Sequence, residues 1–507
     1  MTMGEERKIT GPQKRPGMVD WYAPIEATRS GLRALASTAL GAMIDTRSIL
    51  SVKCEMADNV FDYSKDKRGN ATETFTFDYT ADTGDGFDAT YTMAWLLTSD
   101  EIEVDDEGSK LPRADAVILG GDEIYPVADK GAYFNRLSSP FKQAAMDLRA
   151  SLTAAGARPT LAVRDLFMIP GNHDWYDGLG SMSRRFFSYF SPGATNKFGQ
   201  QRKPRDLGQF KTYQPQGYFV LVLPHDWEIW AVDIQLGNDI DTDQHAFFAW
   251  RAASLGAASK VIVCSAIPTI VYGKNRDKDS LTFGLDRISK LIRDRDARVC
   301  AQFAGDVHNY QRYEIPKISR QGTSYTRQHV VCGGGGAFLH PNHSFHKGDA
   351  EVPRAEPVTR YPSRDQSRAL SRRILLFPVT HIGMCCLIGL LYVLMFWAEG
   401  LPGPSIGEMA AYAVRHPSSL LILAVALFGC MGFAGKKRVW GLLHGALHVA
   451  AAVLSWKIGA TAAAWLAGIG WLQGLEPIIA RLATFAVGGA FGGTLLGFYL
   501  YASLNWF

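Results

Sequence analysis

The stretch DLFMIPGNHDWYD, residues 165–177, says more about the fold than any other part of this 507-residue sequence. Its apolar run, residues 166–169, is followed by a proline and a glycine and then by Asn172, His173 and Asp174. A short apolar run bounded by such residues predicts a buried β-strand. Glycine permits the sharp turn that presents the polar side chains just past the strand, so this loop is predicted to carry a functional site.

Polar side chains follow three further predicted strands in the same way. They are Asp82 and Asp85 after residues 74–80, Asp122 and Tyr125 after residues 116–119, and Asp306 and His308 after residues 299–303. Other strands are predicted at residues 218–223, 228–233, 260–265 and 329–332, and helices at residues 91–98, 140–155, 244–255 and 286–293. This alternation is typical of a layered α/β domain, in which residues past the carboxyl ends of strands come together.

The side chains in these loops suit a hydrolytic centre that contains two metal ions. Carboxylates, an amide oxygen and imidazoles are the ligands that such ions take. Two ions about 3.5–4 Å apart lower the pKa of a bound water and neutralise phosphoryl oxygens, and a nearby histidine can protonate the leaving alkoxide. The pattern therefore predicts metal-dependent cleavage of a phosphoester or pyrophosphate.

The order of the motifs resembles one known family. The series Asp82, Gly121-Asp122-x-x-Tyr125, Gly171-Asn172-His173-Asp174 and Gly305-Asp306-x-His308 resembles the calcineurin-like metallophosphoesterases over roughly residues 75–339. The GDxxY element and the HNYQR run that starts at His308 look most like the purple acid phosphatase variant. The resemblance implies a four-layer β-sandwich flanked by helices, with two divalent or trivalent ions (Mn, Mg, Fe or Zn) at one edge.

The resemblance also implies a role for each motif residue. Asp122 would bridge the two ions, while Asp82, Tyr125 and His308 would complete the first metal site. Four further residues are assigned to the second site and the substrate: Asn172 as metal ligand and substrate contact, His173 as the general acid, Asp174 as the residue that positions it, and Arg312 as a substrate contact.

Two departures from the family pattern fall on the second metal site. Asp306 stands where the family has a histidine, and residues 265–267 supply no histidine after the strand at 260–265. The second site is therefore expected to be richer in oxygen and to prefer Mn or Mg over Zn. Asp85, His340 and His343 are candidates to compensate, together with His346, although the three histidines also fit a surface turn.

The C-terminal part of the chain has the composition of a membrane domain. Charge nearly vanishes after residue 373, and a helix needs about 20 apolar residues to cross a bilayer. Spans are predicted at residues 374–397, 419–435, 439–456 and 482–503, and residues 458–472 are a short and doubtful fifth. The chain thus divides into a tail and helical lead-in (1–60), a metallophosphoesterase domain (61–365) and an all-α transmembrane bundle (366–507).

Basic residues beside the spans predict the orientation of the membrane domain. Arg364, Arg368, Arg372 and Arg373 precede the first span, and Lys436, Lys437 and Arg438 separate the second from the third. Both groups fall on one side, which is cytoplasmic by the positive-inside rule, and residues 1–17 have no apolar signal segment. We therefore expect a multi-pass protein of the cell (inner) membrane with a cytoplasmic catalytic domain.

Alternative functions remain open at this stage. A weakened second site would suit a membrane-tethered sensor or regulator that binds a phosphorylated ligand without turnover. His444 and His448 lie four apart in the third span and are expected to hydrogen-bond neighbouring helices, although a metal-binding role, or with His381 a transport-coupled one, fits the spacing too.

The composition of the chain limits the kinds of binding partner that the sequence predicts. With a net charge of +4 and no basic stripe, the sequence gives no reason to expect nucleic acid. None of the seven cysteines forms a CxxC pair, so no disulfide framework is predicted. The expected partners are the lipid bilayer and a phosphorylated small-molecule or lipid substrate.

Overall fold

The structure is a computed structural model that divides into two units. It describes residues 15–26, 28–29, 31, 54–66, 68–105, 107–158, 160–234, 240–272, 283–343, 356–397, 405–434, 438–469 and 472–505. The first unit is Met1–Val19 with Ser30–Ser363, and the second is Asp20–Arg29 with Arg364–Phe507. Lys436, Lys437, His346 and most of the predicted N-terminal lead-in lie outside the described residues.

The first unit contains two main β-sheets. Its strands in chain order are β1 Val60–Asp62, β2 Phe77–Thr80, β3 Glu101–Glu103, β4 Lys110–Pro112, β5 Ala116–Leu119, β6 Arg164–Met168, β7 Tyr189–Phe190, β8 Arg202–Lys203, β9 Arg205–Leu207, β10 Phe210–Thr212, β11 Phe219–Val222, β12 Trp227–Val232, β13 Lys260–Ser265, β14 Arg298–Ala304, β15 Tyr310–Ile318, β16 Ser324–Cys332 and β17 Thr359–Tyr361. One sheet has the order β1-β11-β12-β13-β14-β16-β15-β17 and the other β2-β5-β6-β10-β9, while β3-β4 and β7-β8 form small ribbons.

Helices cover the outer faces of both sheets. They are α1 Phe87–Thr98, α2 Ser139–Ala154, α3 Asn172–Trp175, α4 Gly180–Phe186, α5 Thr242–Ala252, α6 Thr269–Tyr272 and α7 Phe283–Arg293, and α2 is preceded by a helical turn, Lys130–Ala132, and a π-helical stretch, Tyr133–Ser138. A 3₁₀ turn, Met56–Asn59, leads into β1.

Side chains that alternate between the two faces of each strand form the layers of the first unit. In β5, Ala116 and Ile118 join a core cluster that contains residues of both sheets, whereas Val117 and Leu119 face a cluster formed with α1, α2 and α4. In β12 of the other sheet, Trp230 faces a cluster that includes residues of α5 and α7. Each sheet is thus apolar on both faces, as successive side chains of a strand point to opposite sides. The four layers are helices, sheet, sheet and helices, which confirms the expected fold class.

All eight predicted strands and all four predicted helices are present. The bounds of β5 and β13 match the expectation, and the other predicted strands differ at one or both ends. The long strand β15 was missed because its sequence, YQRYEIPKI, is polar and contains Pro316. It pairs with β16 and β17 on either side, so main-chain pairing rather than an apolar pattern forms it.

The second unit is built from helices. They are α8 Arg364–Ser371, a 3₁₀ turn Arg372–Leu376, α9 Phe377–Thr380, α10 Ile382–Met395, α11 Ile406–Arg415, α12 Pro417–Phe433, α13 Arg438–Leu466 and α14 Glu476–Asn505. Helices α13 and α14 run antiparallel, because His444 stacks on Tyr499 while Gly459 faces Thr484.

Only some of the predicted membrane spans have the length of a span. Helices α13 and α14 have 29 and 30 residues and are long and apolar enough to cross a membrane. The chain on either side of His381 bends by 57° and would make a third span if counted as one. Helix α12, with 17 residues, is shorter than a span, so the described residues give two or three spans rather than four.

The doubtful fifth span is not a separate helix. Residues 458–466 continue α13 without a break, because no proline or loop interrupts the apolar run after Trp456. The expected hydrogen bond to a neighbouring helix is confirmed for His448, whose Nδ1 lies 2.7 Å from the hydroxyl of Tyr392 in α10. The Nε2 of His444 lies 3.1 Å from Nε2 of His448 within α13 itself. The contact between Tyr392 and His448 joins α10 to α13.

Glycines allow α10 and α14 to approach closely. A Cβ on Gly389 of α10 would overlap the carbonyl oxygen of Phe485 in α14. We expect Gly389→Ala to lower the stability of the detergent-solubilised protein by about 1–3 kcal/mol, because backbone must move to admit the methyl group. Thermal unfolding measures this.

Gly429→Ala is the matched control for this substitution. Gly429 lies in α12, and a Cβ there would meet no atom within 4 Å. Its unfolding temperature should be unchanged or slightly raised, since alanine favours a helix more than glycine does. Equal behaviour of the two variants would contradict the close packing of α10 on α14.

Candidate metal centre

Loops from both sheets meet at one edge of the first unit. Strands β2, β5 and β6 are parallel neighbours, so the residues that follow them lie side by side. The amide of Asp82 after β2 donates to the carbonyl of Gly121 after β5 at 2.9 Å. From the other sheet, the amide of Gly305 after β14 donates to the carbonyl of Ala266 after β13 at 3.1 Å. The topology thus gathers the four motif loops.

The hydroxyl of Tyr125 is the centre of the cluster. It lies 3.0 Å from Oδ1 of Asp82, 3.2 Å from Oδ2 of Asp122 and 2.9 Å from Nε2 of His308. Among the described residues, Asp82, Asp122 and His308 form the one group of three potential metal-ligating side chains, with ligand atoms within 4.8 Å of one another. The structure therefore brings four residues of the predicted first metal site together.

The two carboxylates carry uncompensated charge. Asp82 and Asp122 are buried, and burial together with neighbouring carboxylates (Asp122 and Asp306 for Asp82, Asp174 and Asp306 for Asp122) raises both pKa values well above the usual range. Neither forms a salt bridge with a lysine or arginine among the described residues. Buried charges are normally paired with opposite charge or coordinate a metal.

The donor set fits a cation. One hydroxyl proton of Tyr125 cannot satisfy the three acceptors around it, and Oδ2 of Asp82 has no hydrogen-bond partner although it is buried. Carboxylate, phenolate and imidazole groups are ligands for Fe, Mn and Zn. The residues present therefore fit a metal ion between Asp82, Asp122, Tyr125 and His308.

Glycines shape the space around the carboxylates. A Cβ on Gly171 would overlap Oδ1 of Asp122, and one on Gly333 would lie 2.5 Å from Oδ2 of Asp82. Gly333 begins the loop GGGGAF, residues 333–338. The carbonyl of Phe338, at its end, lies 2.7 Å from Nδ1 of His308. The loop therefore holds Asp82 and His308 in place.

Backbone strain marks the same residues. Asp82, Asp122 and Asp306 have φ angles of 61°, 52° and 67°, in the left-handed region that residues with a Cβ seldom adopt. Strain of this kind costs about 1–3 kcal/mol per residue and concentrates at functional sites. Three strained aspartates from three loops, all near one point, therefore indicate function rather than turn geometry alone.

His308 is prepared to act as a ligand. A carbonyl can only accept, so Nδ1 carries the proton and donates to Phe338, which leaves the lone pair of Nε2 facing Tyr125. Burial, followed by the neighbouring His340, lowers the pKa of His308 to about 3. The imidazole is thus neutral at pH 7, as metal binding requires. His340 stacks on this ring with centroids 4.3 Å apart, which supports it from behind.

Asn172 begins α3 beside the cluster. Its Nδ2 donates to the hydroxyl of Tyr176, one helical turn later, at 3.2 Å. With the amide nitrogen used in this way, Oδ1 is the atom left to bind a metal or substrate. Tyr176 was not selected from the sequence, although its spacing of four from Asn172 places both on one helix face.

His173 is held differently from the expectation. The predicted positioning residue was Asp174, but Nδ1 of His173 lies 2.7 Å from the carbonyl of Pro126. The carboxylate of Asp174 instead accepts from the amides of Gly171 and Glu123 and from the hydroxyl of Tyr133. As the third residue after Gly171, Asp174 caps α3, so it fixes the loop rather than the imidazole.

The predicted second site is less complete. Asp306 is half-buried, and its charge contributes to the raised pKa values of Asp82 and Asp122, which places it beside them. Ala266, one of the three residues in the region where the family pattern has a histidine, lies against Gly121: a Cβ on Gly121 would come 2.7 Å from that of Ala266. The position is at the centre, but a methyl group binds no metal.

The candidates for compensation lie elsewhere. Asp85 accepts from the amides of Val19 and Phe338, so it holds the glycine loop and is not a ligand in this structure. His343 is buried beside Asn342, which donates to Pro362. Neither joins the Tyr125 cluster.

Arg312 was expected to contact the substrate. In the structure, its Nη1 lies 3.0 Å from Oε1 of Glu314 and 3.5 Å from Oε1 of Gln328, along β15 and β16. The side chain is therefore engaged on the sheet, away from the Tyr125 cluster.

Glu123 is a further buried acidic residue at this site that the sequence did not predict. This residue follows Asp122 and is fully buried, and burial together with Asp174 raises its pKa well above the usual range. It is thus a neutral acid beside Asp174. Only the burial of this loop, which sequence does not reveal, distinguishes it from a solvated acid.

Part of the sequence matches a known protein family. Residues 75–310 match the family model "Calcineurin-like phosphoesterase", whose members hydrolyse phosphoester bonds. A solved structure titled "Structure of PhoD" aligns with 14% identity and a TM-score of 0.28, covering 51% of this chain and 56% of that chain. The chain thus spans little more than half the length of this structural relative. No curated protein matches the sequence.

Metal analysis tests the centre directly. We expect the purified full-length protein to contain bound metal and Asp122→Ala to lose most of it, because this carboxylate lies between the two predicted sites. Asp226→Asn is the control, since Asp226 has the same left-handed backbone but is exposed. Full metal content in Asp122→Ala, or none in the wild type, would contradict the assignment.

Proposed function

We propose that this chain, whose residues 75–310 form a calcineurin-like phosphoesterase domain, is a membrane-anchored enzyme that hydrolyses a phosphoester or pyrophosphate with two metal ions. The observation that carries the proposal is the meeting of Asp82, Asp122 and His308 around the hydroxyl of Tyr125. These residues come from three distant loops, and this arrangement has no evident purpose in a protein that only folds.

The protein side chains divide between two proposed ion positions. Asp82, Tyr125 and His308 would hold the first ion, Asn172 and Asp306 the second, and Asp122 would bridge them. Bound there, the ions would supply an activated water and neutralise phosphoryl oxygens. The identity of the ions is proposed from the ligands: a phenolate and carboxylates on one side, and oxygen ligands on the other, favour Fe or Mn over Zn.

His173 is proposed as the general acid. Its Nδ1 donates to Pro126, so its orientation is fixed and Nε2 is the nitrogen that would take up a second proton. Burial lowers its pKa to about 4 in the absence of ligands. A bound phosphate is negatively charged and stabilises the imidazolium, which raises this pKa and prepares the histidine to protonate the leaving oxygen.

Tyr176 is proposed to orient Asn172 and the phosphoryl group. Its hydroxyl accepts from Asn172, and among the described residues it has no acceptor for its own proton. Burial raises the pKa of Tyr176, and the charges of Asp122 and Asp306 add to this shift, so the hydroxyl lies near the proposed second ion. This proton is available to a phosphoryl oxygen.

The membrane assignment is proposed from the second unit. Ser371 hydrogen-bonds Asn505 at the carboxyl end of α14, and Arg438 begins the antiparallel α13 at that same end. Arg364, Arg368, Arg372, Arg373 and Arg438 therefore share one end of the helices, which is cytoplasmic by the positive-inside rule. The phosphoesterase domain precedes Arg364 directly, so it is proposed to lie at the cytoplasmic face of the inner membrane.

A sensor remains the second candidate function. Ala266 and Asp306 replace two imidazoles at the second position, and a weaker second ion would allow phosphate binding without turnover. Saturable binding of inorganic phosphate without hydrolysis of any phosphoester, in protein of full metal content, would favour the sensor over the enzyme.

Leaving-group dependence tests His173. With an alkyl phosphate, we expect His173→Ala to reduce turnover by about 10²–10⁴-fold at unchanged metal content, because the alkoxide needs a proton. With p-nitrophenyl phosphate, the loss should be smaller, since this leaving group departs as an anion. His225→Ala, at an exposed histidine, is the control. Equal losses with both substrates would exclude the role of general acid.

Removing one hydroxyl tests Tyr176. Tyr176→Phe should lower kcat/KM by about tenfold, since a hydrogen bond to a charged group is worth roughly 1.5–3 kcal/mol. The variant should also bind inorganic phosphate more weakly while the first metal ion is retained. Tyr189→Phe, at an exposed tyrosine, is expected to behave as wild type. Unchanged phosphate affinity in Tyr176→Phe would refute this assignment.

A further inference from the structure

One segment of the second unit concentrates exposed arginines beside exposed apolar side chains. The segment comprises α8, the 3₁₀ turn and α9, residues 364–380, and is called the arginine segment below. Its four arginines are exposed, and Asp365 is its one acidic residue. Within the same segment, Leu375, Leu376 and Val379 are 46%, 57% and 72% exposed.

Three of the four arginines of this segment have no ion-pair partner among the described residues. Among the described residues, Arg364, Arg372 and Arg373 form no ion pair, and Arg368 meets Asp365 only at 3.7 Å in an exposed i,i+3 contact. Buried or partly buried arginines elsewhere are paired with carboxylates, as Arg164 is with Asp78 and Arg251 with Glu228. Three unpaired arginines in one segment point to an anionic partner outside the chain.

The position of the segment along α14 identifies that partner. A Cβ on Gly497 would come 2.7 Å from Cβ of Phe377, and Ser371 hydrogen-bonds Asn505 at the helix end. Between these two contacts the segment runs along eight residues of α14, a distance of about 12 Å. Helix α14 has 30 residues, about 45 Å, which exceeds the roughly 30 Å hydrocarbon layer. Its last turns, and the arginines beside them, thus lie at headgroup level.

The bend at His381 suits this position. The arginine segment and α10 are inclined by 57°, so the segment does not continue the direction of α10 across the bilayer. Because the segment runs along the end of α14, its basic residues 364–373 lie nearer the phosphates and its apolar residues 374–380 nearer the acyl chains. Serines at spacing four, Ser367 and Ser371, are buried, while Arg364, Arg368 and Arg372 form the adjoining stripe.

We propose that the arginine segment is an interfacial element that binds the headgroups of anionic phospholipids. Guanidinium groups bind phosphodiesters through two parallel hydrogen bonds. Arginines that are adjacent or one helical turn apart can therefore each bind one of several neighbouring headgroups. Each arginine is expected to contribute about fivefold to the affinity for an anionic surface. This inference rests on the membrane anchoring proposed above, but not on catalysis.

Lipid preference of the full-length protein tests the inference. The unfolding temperature is measured for the protein in nanodiscs of phosphatidylcholine, with or without phosphatidylglycerol. In a second measurement, native mass spectrometry counts the lipids that remain bound after detergent extraction. We expect phosphatidylglycerol to raise the unfolding temperature and to be retained in preference to phosphatidylcholine. The difference should shrink at high salt, because the attraction is electrostatic.

Charge-matched variants identify the segment. Arg364→Gln/Arg372→Gln/Arg373→Gln should abolish the preference, a loss on the order of a hundredfold in affinity. The control, Arg158→Gln/Arg295→Gln/Arg415→Gln, removes three exposed arginines elsewhere and should keep it. An unchanged preference in the first variant, or no preference in the wild type, would overturn the proposal. Phosphoester turnover measured on the same samples reports separately on the proposed function.

Discussion

Buried negative charge is the constraint on which the first unit depends. Asp82 and Asp122 are buried close to Tyr125 and His308. Among the described residues, no lysine or arginine forms a salt bridge with either carboxylate. An isolated buried carboxylate is so unfavourable that it takes up a proton or requires a cation. A metal ion resolves the conflict among the three acceptors around one hydroxyl, so folding and metal binding are expected to be coupled.

The backbone is arranged to make this charge cluster possible. Left-handed aspartates turn their carboxylates inward directly after the strands, and Gly171 and Gly333 leave the space that the carboxylate oxygens occupy. Asp174 then secures the loop by accepting two amides and a hydroxyl. Strain at the aspartates is thus offset by hydrogen bonds in the neighbouring loop.

Sequence predicted what is local and missed what depends on packing. The strands such as β5 and the residues after them were found, because apolar runs and glycine turns are local signals. The support of His173 by Pro126 instead of Asp174 was not predictable, since it depends on where another loop passes. Likewise, α13 continues through residues 458–466 because its packing against α14 favours one long helix, whereas composition suggested two short ones.

The two proposed ion positions differ in how firmly the protein holds the side chains around them. On the first side, His308 is fixed by Phe338 and stacked on by His340, and Asp82 and Tyr125 are buried. On the second side, Asn172 is held by Tyr176 and Asp306 is half-buried, while Ala266 offers no donor. An ion there would have fewer protein ligands and more water. Oxygens of a bound phosphate can replace that water, so we expect the second ion to bind more tightly in the presence of substrate than in its absence.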